Sequence, residues 1–205
     1  MKPLRLYRMA VSGHCHRVEL MLSLLGLPCE RIEVDLLGGE QRRPDFLALN
    51  PLGQVPVLED PNQGQVLSDS NAILVYLVLQ YAPDSAWLPR EPLRAALLQR
   101  WFTLAASLLD RGPASARFAA LVGRPVGEDC LALGRRLFDF MTQTLADGRR
   151  WLLPGAAPSL ADIALYGYSA QAPLGGLSLQ DRPEILGWLA RVEALPGFVP
   201  LQDHL

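Results

Sequence analysis

The stretch NPLGQVPVL at residues 50–58, followed closely by SDSNAIL at residues 68–74, decides the fold of this chain. The letters VPVL have the composition of a β-strand, but Pro56 interrupts it, because proline removes a donor from the strand ladder. A proline is tolerated there at an edge, a bulge or a tight turn, and a cis X-Pro bond builds such a turn. We therefore expect a cis Pro56 that leaves the N–H and C=O of Val55 facing outward. An extended peptide can pair with such groups as an added strand.

The second stretch places an acid and a hydroxyl, Asp69 and Ser70, directly before the apolar run of a helix. Both residue types favour the start of a helix, and a helix N-terminus is a ready site for a carboxylate. A backbone edge that pairs with peptides, beside a helix start that binds carboxylates, favours a short, charged peptide as the ligand.

These segments resemble the glutathione-binding half of the cytosolic glutathione transferases, and the match in order and spacing covers most of residues 4–80. The resemblance is strongest to bacterial serine-type enzymes, which are theta- or nu-like. Ser12 after the first strand, SLAD at residues 159–162 and LPGF at residues 195–198 fit the same family. The resemblance implies an α/β thioredoxin-like domain with a mixed four-stranded sheet, followed by an all-α domain. The expected boundaries are 1–80 for the first domain, 81–90 for a linker and 91–205 for the helices. The family pairs as two-fold homodimers, so a homodimer is also expected.

The periodicity of the sequence agrees with this division. In the first part it predicts the order βαβαββα, with a first strand from residue 4 to about residues 9–11, further strands at 29–36, 55–59 and 65–68, and helices that end near Gly26 and cover 44–49 and 70–80. Three prolines between residues 81 and 92 mark the linker. Beyond it the sequence shows only helical periods, at 91–111, 125–147, 159–171 and 182–194. The Ala/Gly/Pro-rich segment 112–127 leaves its structure open.

Composition excludes several functions. The 205 residues carry a net charge of −2, and half of them are hydrophobic, which is ordinary for a globular protein. Pairs of adjacent arginines are scattered along the chain, so nucleic acid is not expected as a partner. No apolar run is long enough to span a membrane, and the N-terminus has no signal-peptide core. Cys15, Cys29 and Cys130 are odd in number and widely spaced, which favours reduced thiols in the cytoplasm. Without a nucleotide fingerprint, the expectation is no tightly bound cofactor, with glutathione as co-substrate.

Ser12 is the candidate catalytic residue. The segment from Ser12 to Cys15 resembles the Ser-x-x-Cys motif of the serine-type enzymes, in which the hydroxyl donates to the sulfur of glutathione. A free thiol has a pKa of about 8.5, and lowering it by about two units takes roughly 2.7 kcal/mol. One hydrogen bond to a charged acceptor contributes about 1.5–3 kcal/mol, and a helix N-terminus adds roughly 0.3–1. The alternative is that Ser12 merely caps the first helix, and the two roles do not exclude each other.

The neighbours of Ser12 raise two other possibilities. Cys15 could form mixed disulfides with glutathione, as a cysteine of this loop does in some relatives, although a position inside the first helical turn favours a buried structural thiol. His14, Cys15 and His16 cannot share a metal ion, because adjacent helical residues point about 100° apart. His14 stands where several bacterial relatives carry an asparagine that approaches the sulfur.

The resemblance implies roles for the remaining candidates. Asp69 and Ser70 would hold the γ-glutamyl end, Val55 and Pro56 the cysteinyl backbone, and Gln54, Gln41 and Arg43 the glycyl carboxylate. The second substrate would meet residues from two segments: Met9, Ala10, Trp101 and Phe102. The stripe Trp101, Leu104 and Leu108 has helical spacing, so these three are expected to lie mostly in the core.

The expected function is conjugation of the glutathione thiolate to a small hydrophobic electrophile, a detoxification reaction. One alternative is a glutathione-dependent disulfide reductase or peroxidase. The other is a non-enzymatic scaffold of the same fold that binds protein partners. A scaffold has no need of Ser12, Val55-Pro56 and Asp69-Ser70 together.

Overall fold

The computed structural model describes residues 1–203, which divide into two compact units, 1–83 with 196–203, and 84–195. The first unit is built on one four-stranded sheet with the spatial order β2-β1-β3-β4. Its strands are β1 (Leu4–Arg8), β2 (Cys29–Glu33), β3 (Val57–Asp60) and β4 (Gln65–Ser68). β1 is parallel to β2, whereas the pairs β1–β3 and β3–β4 are antiparallel. The predicted mixed sheet is confirmed.

Three α-helices complete the predicted order βαβαββα: α1 (Gly13–Leu24), α2 (Pro44–Leu49) and α3 (Ser70–Tyr81). Three strands are shorter than predicted, each for a local reason. β1 ends at Arg8, after which the N–H of Ser12 donates to the carbonyl of Met9 at 2.9 Å and turns the chain. β2 ends at Glu33, after which the carboxylate of Asp35 accepts a hydrogen bond from the N–H of Gly38 at 2.7 Å and turns the chain. β3 begins only at Val57, because Pro56 has no N–H to place in the ladder.

The C-terminal segment differs from the predicted boundary, since residues 196–203 belong to the first unit rather than to the helical domain. Nε2 of His16 lies 2.8 Å from the carbonyl oxygen of Val199. Gly197 has φ +89°, and a Cβ there would lie 3.0 Å from the carbonyl oxygen of Ser23. A glycine at this position therefore allows the tail to pass close to the end of α1.

The second unit contains no strand among the residues described. Its α-helices are α4 (Pro92–Leu104), α5 (Ser115–Leu121), α6 (Glu128–Leu145), α7 (Leu160–Ala170) and α8 (Pro183–Glu193). A π-helical segment (Ala105–Ala114) joins α4 to α5, and a short 3-10 helix (Ala172–Gly175) follows α7. The segment left open by the sequence is thus partly helical, as far as Leu121. Within the π-helical segment, Pro113 cannot donate to the helix ladder.

The buried stripe of this helix differs from the predicted one. Trp101 is completely buried as predicted, but Leu104 and Leu108 are only half-buried. Ala105 and Leu109 are completely buried instead. Trp101, Ala105 and Leu109 are four residues apart, which is still α-helical spacing, so the buried face is rotated relative to the predicted stripe while its period is unchanged.

The capping box at the start of α7 anchors the interior of the second unit. The carboxylate of Asp162 is completely buried and accepts hydrogen bonds from the N–H groups of Leu152 at 2.9 Å and Ser159 at 2.8 Å. The indole of Trp188 donates to it at 2.8 Å. Among the helices of residues 1–203, none combines the length and the apolar character that crossing a membrane would require.

Candidate active site

The register of the sheet brings three separate segments to one end of the first unit. Tyr7 near the end of β1 pairs with Val57 at the start of β3, and Val57 in turn pairs with Ser68 at the end of β4. The segment that follows β1, the segment that precedes β3 and the segment that follows β4 therefore lie side by side. These segments hold Ser12, the Val55-Pro56 bond and Asp69-Ser70 respectively.

The Val55-Pro56 peptide bond is cis, as predicted. The side chain of Val55 packs on the cluster formed by Val34, Phe46 and Val57, while its N–H and C=O have no hydrogen-bond partner within residues 1–203. These two groups present one donor and one acceptor, which is the pattern that an extended peptide backbone completes.

The loop before the cis bond is held by a buried amide. Asn50 is 3% exposed, donates to the carbonyl of Gln54 at 2.8 Å and accepts from the N–H of Leu52 at 3.2 Å. Gly53 follows with φ +60°, and a Cβ there would lie 3.0 Å from the carbonyl oxygen of Gln41. The side chain of Gln54 is left exposed, next to the segment that carries Gln41.

Asp69 has a backbone conformation that few residues of its type adopt. Its φ is 69° and its ψ is 116°, and it is the one non-glycine residue with positive φ in the described chain. Such a conformation costs about 1–3 kcal/mol and tends to occur at functional sites. Its Oδ1 caps α3 by accepting from the N–H of Ala72 at 2.9 Å. The side chain is exposed, so its second carboxylate oxygen is accessible to an ammonium group.

Ser12 caps α1 and is half-buried. Its Oγ accepts a hydrogen bond from the N–H of Cys15 at 3.3 Å, and its own N–H donates to the carbonyl of Met9 at 2.9 Å. A hydroxyl that accepts through a lone pair keeps its proton for donation. The cap geometry therefore leaves Ser12 able to donate to a sulfur atom.

Two nearby groups with reactive side chains are poorly suited to that role. The thiol of Cys15 is completely buried, and burial raises its pKa to about 12 in spite of its contact with Ser12. Its thiolate is therefore a negligible fraction near pH 7. The hydroxyl of Tyr7 donates to Glu59 at 3.3 Å, and burial together with that carboxylate raises its pKa.

The candidates for the glycyl carboxylate differ in what they can offer. The amide nitrogen of Gln41 donates to the carbonyl of Leu36 at 3.2 Å, and its oxygen is buried without a partner in the described chain. The amide nitrogen of Gln41 carries two N–H groups, so one of them is still able to donate to a carboxylate. Arg43 is exposed at the N-cap of α2 and offers a charged donor. His14 is half-buried in the first turn of α1.

The proposed second-substrate residues lie in different environments. Met9 and Ala10 are half-buried in the turn before Ser12. Trp101 is completely buried and contacts the ring of Phe140 at a centroid distance of 5.3 Å, so it is a core residue of the second unit. Phe102 is 7% exposed.

Sequence reasoning missed Arg17 and Asn71. Arg17 is 2% exposed, and its Nη1 donates to the Oγ of Ser70 at 3.2 Å and to the Oδ1 of Asn71 at 2.9 Å. A signal existed in the sequence, because Arg17 precedes Met21 by four residues and so shares its buried helical face. An arginine on such a face indicates a paired or functional charge.

Comparison with known proteins agrees with this geometry. Residues 11–79 match the family model for the N-terminal domain of glutathione S-transferases. Glutathione S-transferase 3 of Zea mays is 33% identical over 97% of this chain and 92% of the maize protein. The chain belongs to the glutathione S-transferase family.

Solved structures of the glutathione S-transferase family share its architecture over almost the whole chain. The glutathione S-transferase of Pseudomonas fluorescens is 36% identical, with a TM-score of 0.89 over 98% of this chain and 100% of that one. A glutathione transferase homologue of Drosophila mojavensis, solved with bound glutathione, is 26% identical, with a TM-score of 0.81 over 96% of this chain and 90% of that one. No group of three metal-ligating acids, histidines or cysteines occurs within residues 1–203.

Proposed function

We propose that this protein is a glutathione transferase that conjugates the thiolate of reduced glutathione to a small hydrophobic electrophile. The observation that carries the proposal is the convergence of Ser12, the cis Val55-Pro56 bond and Asp69-Ser70 at one end of the sheet. Membership of the family and the glutathione bound to a related structure support it.

The tripeptide would bind along the first unit in an extended conformation. The N–H and C=O of Val55 pair with the cysteinyl backbone, while the carboxylate of Asp69 faces the ammonium of the γ-glutamyl residue. Ser70 donates to the carboxylate of that residue. Arg43, Gln54 and the second N–H of the Gln41 amide are the candidate donors for the glycyl carboxylate, and Arg43 is the one that carries a charge.

The chemical step follows from the hydroxyl of Ser12. Binding places the thiol of glutathione near this hydroxyl, the thiol releases its proton to solvent, and the Ser12 O–H donates to the resulting thiolate. The sulfur then attacks the electrophilic carbon, a C–S bond forms, and the electron pair of the broken bond leaves with the departing group. His14 is a second candidate for a contact with the sulfur. Within the first unit, Met9 and Ala10 are the candidates for contacts with the electrophile.

A disulfide reductase or peroxidase that uses Cys15 has less support. That chemistry requires an accessible thiolate, whereas the Cys15 thiol is completely buried and has a pKa of about 12. A protein-binding scaffold would not need the strained Asp69 or the open backbone of Val55. A homodimer, as in the family, and a cytoplasmic location, supported by three free cysteines, are part of the same proposal.

Calorimetric titration with reduced glutathione, followed by an assay with a chromogenic aryl halide, tests the proposal. Binding at millimolar concentration or below, together with formation of the thioether, is the expected result. A protein that leaves millimolar glutathione unbound would instead be a scaffold. Binding without conjugation, but with reduction of a mixed disulfide, would favour the reductase.

A further inference from the structure

A buried guanidinium lies behind the first turn of α3. Arg17 of α1 is 2% exposed, and through one nitrogen it contacts both Ser70 Oγ and Asn71 Oδ1. Burying a charged side chain is strongly unfavourable even after the protein relaxes. An apolar residue would fill the same space at a lower desolvation cost, so packing alone does not account for the arginine.

The contact determines what Ser70 can offer to a ligand. A guanidinium only donates, so its bond occupies a lone pair of the Ser70 hydroxyl and leaves the hydroxyl proton for another partner. A carboxylate only accepts, and it needs that proton. Ser70 itself is 6% exposed, so few competing water molecules can reach it.

Asn71 is oriented by the same nitrogen. Its amide oxygen faces Arg17 at 2.9 Å, which turns the amide NH₂ group away from the guanidinium. Asn71 is half-buried and lies in the first turn of α3, next to Ser70. Arg17 thus sets two adjacent side chains as hydrogen-bond donors at a helix N-terminus, where an anion is already favoured.

We propose that Arg17 is a positioning residue that makes the site select peptides whose first residue carries a free α-carboxylate. It acts through Ser70 and Asn71, whose protons it directs to the α-carboxylate of the γ-glutamyl residue. This inference rests on the proposed function. Without the guanidinium, the hydroxyl of Ser70 can turn toward a neighbouring carbonyl, and the amide of Asn71 can rotate.

Two ligands and three variants test the inference. The ligands are glutathione and 4-aminobutyryl-cysteinyl-glycine, which keeps the ammonium and the thiol but lacks the α-carboxylate. Arg17→Met should raise the Kd and KM for glutathione about tenfold, equivalent to about 1.4 kcal/mol, with kcat and the pKa of the bound thiol nearly unchanged. Arg17→Lys should recover part of the loss, because an ammonium also donates. Arg8→Met removes an arginine of β1 that pairs at 2.7 Å with Glu19 of α1, the helix that carries Arg17, and it should leave the Kd for glutathione unchanged.

The comparison of the two ligands separates a positioning role of Arg17 from a purely structural role. Wild type should bind the analogue about tenfold more weakly than glutathione, and Arg17→Met should bind the analogue as well as wild type does. Equal losses for both ligands would mean a structural role and would overturn the inference alone. A wild type that binds neither ligand would overturn the proposed function and the inference together. If Arg17→Met does not fold, the double variant Arg17→Lys/Ser70→Ala is compared with its two single variants. Losses of glutathione affinity that simply add in the double variant would contradict coupling of Arg17 to Ser70.

Discussion

The N–H of Cys15 donates to the Oγ of Ser12 at 3.3 Å, so the hydroxyl that caps α1 is also the candidate donor to the glutathione thiolate. One oxygen can serve both roles, because it accepts from the helix through a lone pair and donates through its proton. Loss of the hydroxyl should therefore affect both stability and chemistry, and these two effects can be measured separately.

Ser12→Ala should lower kcat about ten- to a hundredfold and raise the pKa of bound glutathione, with little change in its Kd. A hydrogen bond to a charged group contributes about 1.5–3 kcal/mol, which gives this range. The lost cap should also destabilise the protein by about 0.5–2 kcal/mol. The pH dependence of kcat/KM and the absorbance of the bound thiolate measure the chemical part.

Ser12→Thr is the matched control, since it keeps a capping hydroxyl, and it should retain a large part of the activity. Full activity of Ser12→Ala, with an unchanged pKa of the bound thiol, would remove Ser12 from the mechanism.

Cys15→Ala should act on stability rather than on catalysis. The thiol is completely buried, so its removal should lower the free energy of unfolding by about 1–3 kcal/mol and leave kcat within a factor of about two. Cys29→Ala is the control, because Cys29 is only partly buried, and it should cost less. A stoichiometric adduct of oxidised glutathione on Cys15, detected by mass spectrometry, would contradict the prediction.

Asp69→Gly should separate stability from binding. Glycine adopts positive φ freely, so the change removes about 1–3 kcal/mol of strain, offset by roughly 0.5–1 kcal/mol of glycine entropy and a few tenths for the weaker cap. The variant should therefore be as stable as wild type, or up to about 2 kcal/mol more stable, while its affinity for glutathione falls. Denaturant unfolding and calorimetry measure the two quantities.

Asp69→Asn completes this comparison, because asparagine keeps a cap and the unusual backbone but loses the charge that faces the ammonium. It should weaken binding without stabilising the fold. Unchanged glutathione affinity in both variants would exclude Asp69 from the site.

The sequence was sufficient for much of this site because its residues lie in short motifs. Pro56 could be predicted as a cis proline because it breaks a strand pattern, and Asp69 because it precedes an apolar helix. Arg17 was missed because its role depends on a contact between two helices that are far apart in the sequence. The π-helical segment at Ala105–Ala114 was missed because an α-helical period fitted the same apolar residues. A tertiary contact, rather than local propensity, decides the case of Arg17.

The buried carboxylate of Asp60 should make the first unit sensitive to acid. It is completely buried at the end of β3, where the hydroxyls of Tyr76 and Tyr81 each donate to Oδ2 at 2.5 Å and the N–H of Asn62 donates to Oδ1 at 2.8 Å. Burial alone would raise the pKa of Asp60, but these hydrogen bonds outweigh it and lower the pKa. The folded state therefore binds this proton less readily than the unfolded state, whose aspartate pKa is about 3.9.

The contribution of Asp60 to stability should be fully present above the unfolded pKa and should be lost as the pH falls through the lowered, folded pKa. The free energy of unfolding of wild type, minus that of Asp60→Asn, should accordingly be constant near neutral pH and decrease below about pH 4. Taking the difference removes the effect of the buried Asp162, whose pKa is raised by burial and which is present in both proteins. Tyr76→Phe removes one donor, so it should raise the folded pKa of Asp60 and reduce the pH-dependent difference. Urea unfolding at a series of pH values measures the difference in unfolding free energy between wild type and Asp60→Asn. If this difference stays constant down to about pH 2, the hydrogen bonds to Asp60 do not stabilise its ionised carboxylate.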